Sequence, residues 1–155
     1  MRDIRTETAE LYERQADRLY RLAHARLLNA ADAEDAVAET FAKYLRKMPE
    51  FRDASHEKAW FLRVCINTCN DLARRRTVRA YTPLEELSEV LAAQEKDKSV
   101  LESVYALPEK YRMCVLLYYF EDFSVEETAK ALKISVSAVK MRLSRAREML
   151  KTVLA

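Results

Sequence analysis

The stretch from Ser135 to Arg145, "SVSAVKMRLSR", carries the side chains best suited to a specific chemistry. Val136, Val139, Leu143, Ala146 and Leu150 recur at intervals of three and four, which makes one apolar stripe on a helix that Ser135 can cap. Ser137, Ala138, Met141, Ser144 and Arg145 then point away from the stripe, with Lys140 and Arg142 on its flanks. Small residues at the start of a helix, flanked by long cations, suit a helix entering the major groove of duplex DNA. The amides behind Ser135 offer a seat for a phosphate. An ordinary helical hairpin with a solubilising basic face shows the same pattern, so geometry alone leaves both readings open.

A second set combines Phe51, Trp60 and Phe61 with Asn67 and the cations Arg74, Arg75, Arg76 and Arg79. Aromatic faces, an amide for base edges and cations for phosphates are what a single nucleic-acid strand requires. Core packing is the default account of Trp60 and Phe61 taken singly, and the helix dipole explains part of a basic cluster at a helix C-terminus. A third set is "DAEDAVAETFAKYLRK", Asp32 to Lys47, in which Asp32, Glu34, Asp35 and Glu39 precede a basic last turn. Dipole matching explains that order, and a protein-docking surface is the functional alternative.

No glycine-rich phosphate loop, paired metal ligands or nucleophile–base pair is present, so neither an enzyme nor a cofactor or metal site is expected. Cys65, Cys69 and Cys114 are odd in number and read as small buried thiols.

These side chains need helices to position them. The chain of 155 residues has no glycine and three prolines, which argues against sheet, whose turns rely on glycine. Periodicity predicts helices over Thr6–Leu28, from Asp32 to Met48 with Val37, Phe41, Tyr44 and Leu45 buried, and from His56, capped by Ser55, to Arg76. Pro108 opens a helix carrying Tyr111, Val115, Leu116 and Tyr119. "SVEE" from Ser124 is a capping box, its helix ends near Lys133, and the Ser135 helix follows after a very short joint. Ala129 keeps that helix pair close. The expected architecture is all-α: two small helical bundles, 1–80 and 99–155, joined by a flexible acidic linker over 81–98, the second bundle a helix-turn-helix.

Net charge is +2, but it is unevenly distributed. Arg63 to Arg79 carries net +4, Glu85 to Glu102 net −4, and Lys140 to Lys151 net +4. No apolar run approaches a membrane span and no signal segment opens the chain, so a cytoplasmic protein without membrane insertion is expected.

Three stretches in this order, "DAEDAVAETFAKYL", "FRDASHEKAWFLRVCINTCNDLARRR" and "LPEKYRMCVLLYYFEDFSVEETAKALKISVSAVKMRLSRAREML", resemble bacterial RNA polymerase sigma factors of the extracytoplasmic-function (ECF) group. The resemblance implies a region-two domain in front and a region-four domain behind. It implies docking of Asp32, Asp35, Glu39 and Phe41 on core RNA polymerase. It implies capture of a flipped base of the melted downstream promoter element by Phe51, Arg52, Ser55, Trp60 and Asn67, with Arg74, Arg75 and Arg76 toward the backbone. Ser135, Ser137, Ala138, Lys140, Met141, Arg142 and Arg145 would read the upstream element as duplex. An anti-sigma factor as partner is implied too, and the acidic linker could thread the polymerase's nucleic-acid channels. The chain departs from the family's pattern at Asp122 and Lys133, where glycine is usual, and at Thr128, where a branched apolar residue is usual. The alternative, carried by the residues without the resemblance, is a stand-alone dimeric helix-turn-helix regulator with a sensing front bundle.

Overall fold

The computed structural model describes residues 3–75 and 98–154, which fall in two compact units. Arg76, Arg79 and the acidic linker lie outside the described residues. Among the described residues all regular structure is helical.

The front unit is three helices, α1 (Ile4–Leu27), α2 (Ala30–Lys47) and α3 (Ala54–Arg75). Asn29 caps α2, its side chain accepting from the Asp32 amide at 2.9 Å. The expected Ser55 cap is replaced by Asp53, whose Oδ1 accepts from the His56 amide at 2.8 Å, so α3 begins at Ala54. The loop before it folds tightly because His56 Nδ1 also accepts from the Arg52 amide at 3.1 Å, which leaves Ser55 exposed in the first turn. The core is dense. Leu19, Leu22 and Ala23 of α1 meet Ala33, Ala36 and Val37 of α2 and Phe61, Leu62 and Cys65 of α3, all buried. Alanines at the crossing allow close approach, and Thr40 satisfies its buried hydroxyl on the Ala36 carbonyl at 2.7 Å. Leu45, expected inside, is 47% exposed because it falls on the outward side of α2 beside the chain exit.

The rear unit comprises α4 (Lys98–Tyr105), α5 (Glu109–Val115), α6 (Val125–Leu132) and α7 (Val136–Leu154). Arg112 is buried and its Nη1 donates to the carbonyls of Tyr105 (3.2 Å) and Leu107 (3.1 Å), tying α5 to the end of α4. Pro108 stands one residue ahead of α5 rather than within its first turn. After Val115 the helix widens into a π turn over Leu116–Phe120, with the Glu121 amide bonded to the Leu116 carbonyl at 3.0 Å. Tyr119, in this turn, is 45% exposed.

Ser124 and Glu127 form the expected capping box, at 3.0 Å and 2.9 Å. Thr128 is fully buried where an apolar residue is usual, and its hydroxyl donates to the Ser124 carbonyl at 2.8 Å. The hydroxyl therefore costs little desolvation. The joint between α6 and α7 exists without glycine because Lys133 itself adopts the left-handed conformation, φ 59° and ψ 44°. Leu28, Met48 and Asp122 do likewise, at φ 53°, 45° and 56°.

Candidate nucleic-acid interface

On α7 the inward stripe is as expected: Val139, Leu143 and Ala146 are buried, while Val136 and Leu150 are partly covered. Ser137, Lys140, Met141, Ser144 and Arg145 are exposed, and Ala138 and Arg142 half-buried. Met141, 51% exposed, is an apolar side chain held in water at the centre of the outward face. Ser135 Oγ accepts from the Ala138 amide at 3.0 Å, so that amide serves the cap and is not open to a phosphate.

The basic residues of α7 are braced against α5 and the π turn. Arg145 reaches toward the Tyr111 hydroxyl, and its influence, with Lys110 near, draws the phenol below its ordinary range. Arg142 lies close enough to Cys114 to oppose the burial that pushes the Cys114 thiol up. Arg147, which sequence reasoning did not single out, donates to the Tyr119 hydroxyl at 2.9 Å, and Tyr119 in turn packs edge-on against Tyr118. Such braces lower the rotamer entropy lost when a cation meets a phosphate.

In the front unit the structure gathers the aromatic residues around Phe51. Its ring stacks on Tyr44 (centroids 6.4 Å, 17° between planes) and lies 5.9 Å from Trp60 and 5.5 Å from His56. Trp60 meets Phe61 edge-on at 5.0 Å, with Phe61 fully buried beneath it. Phe51 and Trp60 themselves are half-buried, so the layer has a buried floor and a partly open top. Tyr44 and His56 belong to this layer and were missed in sequence. Tyr44 reads there as plain core, and only the tight Arg52–His56 loop brings His56 under Phe51.

Asn67 follows Trp60 by seven residues and Arg74 by fourteen, so all three lie in one row along α3, two turns apart. Asn67 is half-buried; Arg74 and Arg75 are exposed at the helix end, and Arg74 pairs with Asp71. Arg52 is exposed on the loop.

On α2, Asp35 and Glu39 are exposed one turn apart, and Glu39 accepts from Arg46 at 2.9 Å. Asp32 and Phe41 do not share that surface. Asp32 is 6% exposed at the helix start, and Phe41 is 7% exposed with its ring 5.1 Å from Tyr12 and 5.2 Å from Phe61. Phe41 therefore supports the helix from within, because its position on α2 faces α1 and α3. Among the described residues no cluster of metal-ligating side chains occurs, and no helix is long and apolar enough to cross a membrane.

The family model for Sigma-70 region 2 matches residues 11–79, and that for Sigma-70 region 4 matches residues 98–150. RNA polymerase sigma factor SigV of Bacillus subtilis is 31% identical over 135 residues, covering 85% of this chain and 81% of its own. ECF RNA polymerase sigma factor SigM of Mycobacterium tuberculosis is 29% identical, covering 94% of this chain and 76% of its own. The structure of CnrH in complex with the cytosolic domain of CnrY superposes with a TM-score of 0.65 at 25% identity, over 97% of this chain and 88% of that one. Sigma factor RpoE from Bartonella quintana, solved with the anti-sigma factor NepR, shares the fold with a TM-score of 0.69 at 21% identity, over 99% of this chain and 98% of that one. The two regions follow one another in the order and on the helices where the interface residues lie, and the chain belongs to the ECF group of RNA polymerase sigma factors.

Proposed function

We propose how this sigma factor, which directs RNA polymerase to promoters, divides the work between its units. The rear unit reads the upstream element as duplex through α7: Ser137, Ala138 and Met141 approach base edges, and Lys140, Arg142 and Arg145 meet phosphates. Met141 offers apolar contact, which suits a thymine methyl. The front unit traps an unstacked base of the downstream element against Phe51 and Trp60, with Asn67 on its edge and Arg74 and Arg75 along the strand. Unstacking a base costs a few kcal/mol, and stacking on a protein aromatic returns about 1–3 kcal/mol, so such a seat can hold melted DNA open. Asp35 and Glu39 face the polymerase.

The observation that carries the reading is the half-open aromatic layer of Phe51 and Trp60 over a buried floor, on the same helix face as Asn67. CnrH and the Bartonella RpoE are each seen with a partner protein, CnrY and the anti-sigma factor NepR. An anti-sigma partner that covers these surfaces is proposed here too. No observation favours the stand-alone dimeric regulator, since region 2 matches across the front bundle.

Run-off transcription with purified core polymerase on a genomic library tests the assignment. Transcripts sharing an upstream motif are expected. Tight duplex binding by the protein alone without transcripts would contradict it.

A further inference from the structure

The start of α3 is closed by two bonds that run in opposite directions. Asp53 Oδ1 accepts from the His56 amide at 2.8 Å, and His56 Nδ1 accepts from the Arg52 amide at 3.1 Å. Three residues separate the cap from the side chain that reaches back, as they do at Ser124 and Glu127. The difference lies in that second side chain. At Glu127 it is a carboxylate. At His56 it is an imidazole, and the amide it holds belongs to Arg52, one residue before the cap.

An imidazole in this place has two consequences. An Nδ1 that accepts carries no proton, so the ring is neutral with its hydrogen on Nε2. Histidine changes its charge between about pH 5 and 8, whereas a carboxylate goes on accepting through that range. A proton on Nδ1 removes the Arg52 bond, because both ring nitrogens are then donors. It also puts positive charge in the first turn of α3, where the helix dipole opposes it. Both effects loosen the loop as pH falls.

That loop presents Phe51. The His56 ring, half-buried, meets Phe51 edge-on at 5.5 Å, and Phe51 lies 5.9 Å from Trp60. The charged groups on the elements around the ring are Glu50, Arg52 and Asp53 of the loop, Glu57 and Lys58 of α3, and Arg14 of α1, which Glu57 holds. Tyr44 of α2 stacks on Phe51.

We propose that His56 is a positioning residue for the base seat: its neutral ring locks the loop over 51–53 onto α3 and holds Phe51 beside Trp60, and protonation releases it. The effect on promoter opening rests on the trapped-base reading above; the lock itself does not.

Trp60 is the only tryptophan of the chain, so its emission reports on the aromatic layer without DNA. Titrating the full chain from about pH 8 to about pH 5.5 should move the emission maximum through one transition in the wild type. His56→Asn should abolish that transition, because the asparagine oxygen stands as many bonds from Cα as Nδ1 does and takes up no proton. His56→Ala should show the low-pH maximum at every pH. His24, the other histidine, is present in all three, so a transition that persists in His56→Asn would overturn the lock.

Permanganate reactivity of downstream thymines, in a promoter bound by polymerase carrying each variant, reads the consequence. At about pH 8 the wild type and His56→Asn should open alike, and His56→Ala about three- to tenfold less, the worth of one hydrogen bond. At about pH 6 the wild type should fall toward His56→Ala while His56→Asn holds, with upstream protection unchanged throughout. Equal opening by His56→Ala and the wild type, with Trp60→Ala impaired, would overturn the positioning role and leave the base seat standing. Full opening by Trp60→Ala would overturn the base seat, and the emission series alone then decides the lock. Urea melts establish that each variant folds; if His56→Ala does not, the ratio of wild type to His56→Asn across pH decides.

Discussion

At the residue scale, burial separates side chains that can meet DNA from those that only hold them. Trp60 and Phe61 are adjacent in sequence, yet Phe61 is fully buried and Trp60 half-open. Periodicity places both on or near one inner face, and only the packed aromatic layer divides the roles. The same holds for α2, where Asp35 and Glu39 stay on the surface and Asp32 and Phe41 turn in. On α7 the exposed pair Lys140 and Met141 should fail differently. Lys140→Gln should weaken upstream duplex binding uniformly across sequences and lower the salt slope by about 1. Met141→Ala should leave the slope alone and lose about 1 kcal/mol of discrimination at one base pair. Binding to a promoter library at several salt concentrations checks both.

The buried thiols give a residue-scale test of stability. Cys65 donates to the Leu19 carbonyl at 3.7 Å, and hydrogen bonding with Cys65, then burial, pushes the Cys69 thiol well above its ordinary value of 9.0. The folded state thus holds a proton that the unfolded chain releases above about pH 9. The corresponding stability is present below that pH and is lost as pH rises further. Urea unfolding should show a steeper fall between pH 8 and pH 10 for the wild type than for Cys69→Ala. Equal slopes would remove the thiol from the explanation.

At the element scale, the helix ends at Leu28, Met48 and Lys133 were legible to within a residue, and the starts were legible where a serine caps them. Ser124 with Glu127, and Ser135, cap where their side chains allow, because an N-cap is a local hydrogen bond that sequence spacing specifies. Ser55 failed because Asp53, two residues earlier, is the better acceptor once His56 folds the loop. What was less legible is the backbone at those ends, since only Asp122 and Lys133 stand where glycine is usual and Leu28 and Met48 carry no such mark. Leu28, Met48, Asp122 and Lys133 all take the left-handed region, each at or just past the end of a helix. The π turn at Leu116–Phe120 was likewise invisible, since one extra residue in a helix does not disturb an apolar run enough to be read.

That gives an element-scale prediction. A left-handed non-glycine residue costs about 1–2 kcal/mol, partly offset by the extra freedom glycine has when unfolded. Lys133→Gly and Asp122→Gly should each therefore stabilise the rear unit by about 0.5–1 kcal/mol. Differential scanning calorimetry should show each raising Tm by a few degrees. A lowered Tm would mean that the long side chain at the joint holds contacts the backbone argument omits.

At the scale of the whole molecule, the charge pattern was the plainest signal in the sequence. Two segments of net +4 flank one of net −4. The described cations of the two basic segments fall on α3 and on α7. In the proposed reading the front unit takes unpaired bases on its aromatic faces, and the rear unit takes paired ones along a helix edge. The fold class and the outward face of α7 could be read from periodicity because an amphipathic helix declares its faces. Of the aromatic layer, Phe51, Trp60 and Phe61 could be grouped from sequence, but Tyr44 and His56 could not, because their place needs α2, the loop and α3 brought together by packing.

Permanganate footprinting of a promoter bound by polymerase reconstituted with this chain tests the central claim most directly, that Trp60 and Asn67 hold melted DNA. With the wild type, unpaired thymines of the downstream element should become reactive. With Trp60→Ala and Asn67→Ala together, the upstream element should stay protected from nuclease while thymine reactivity falls about tenfold or more. Full reactivity in that double variant, with transcription unimpaired, would contradict the account.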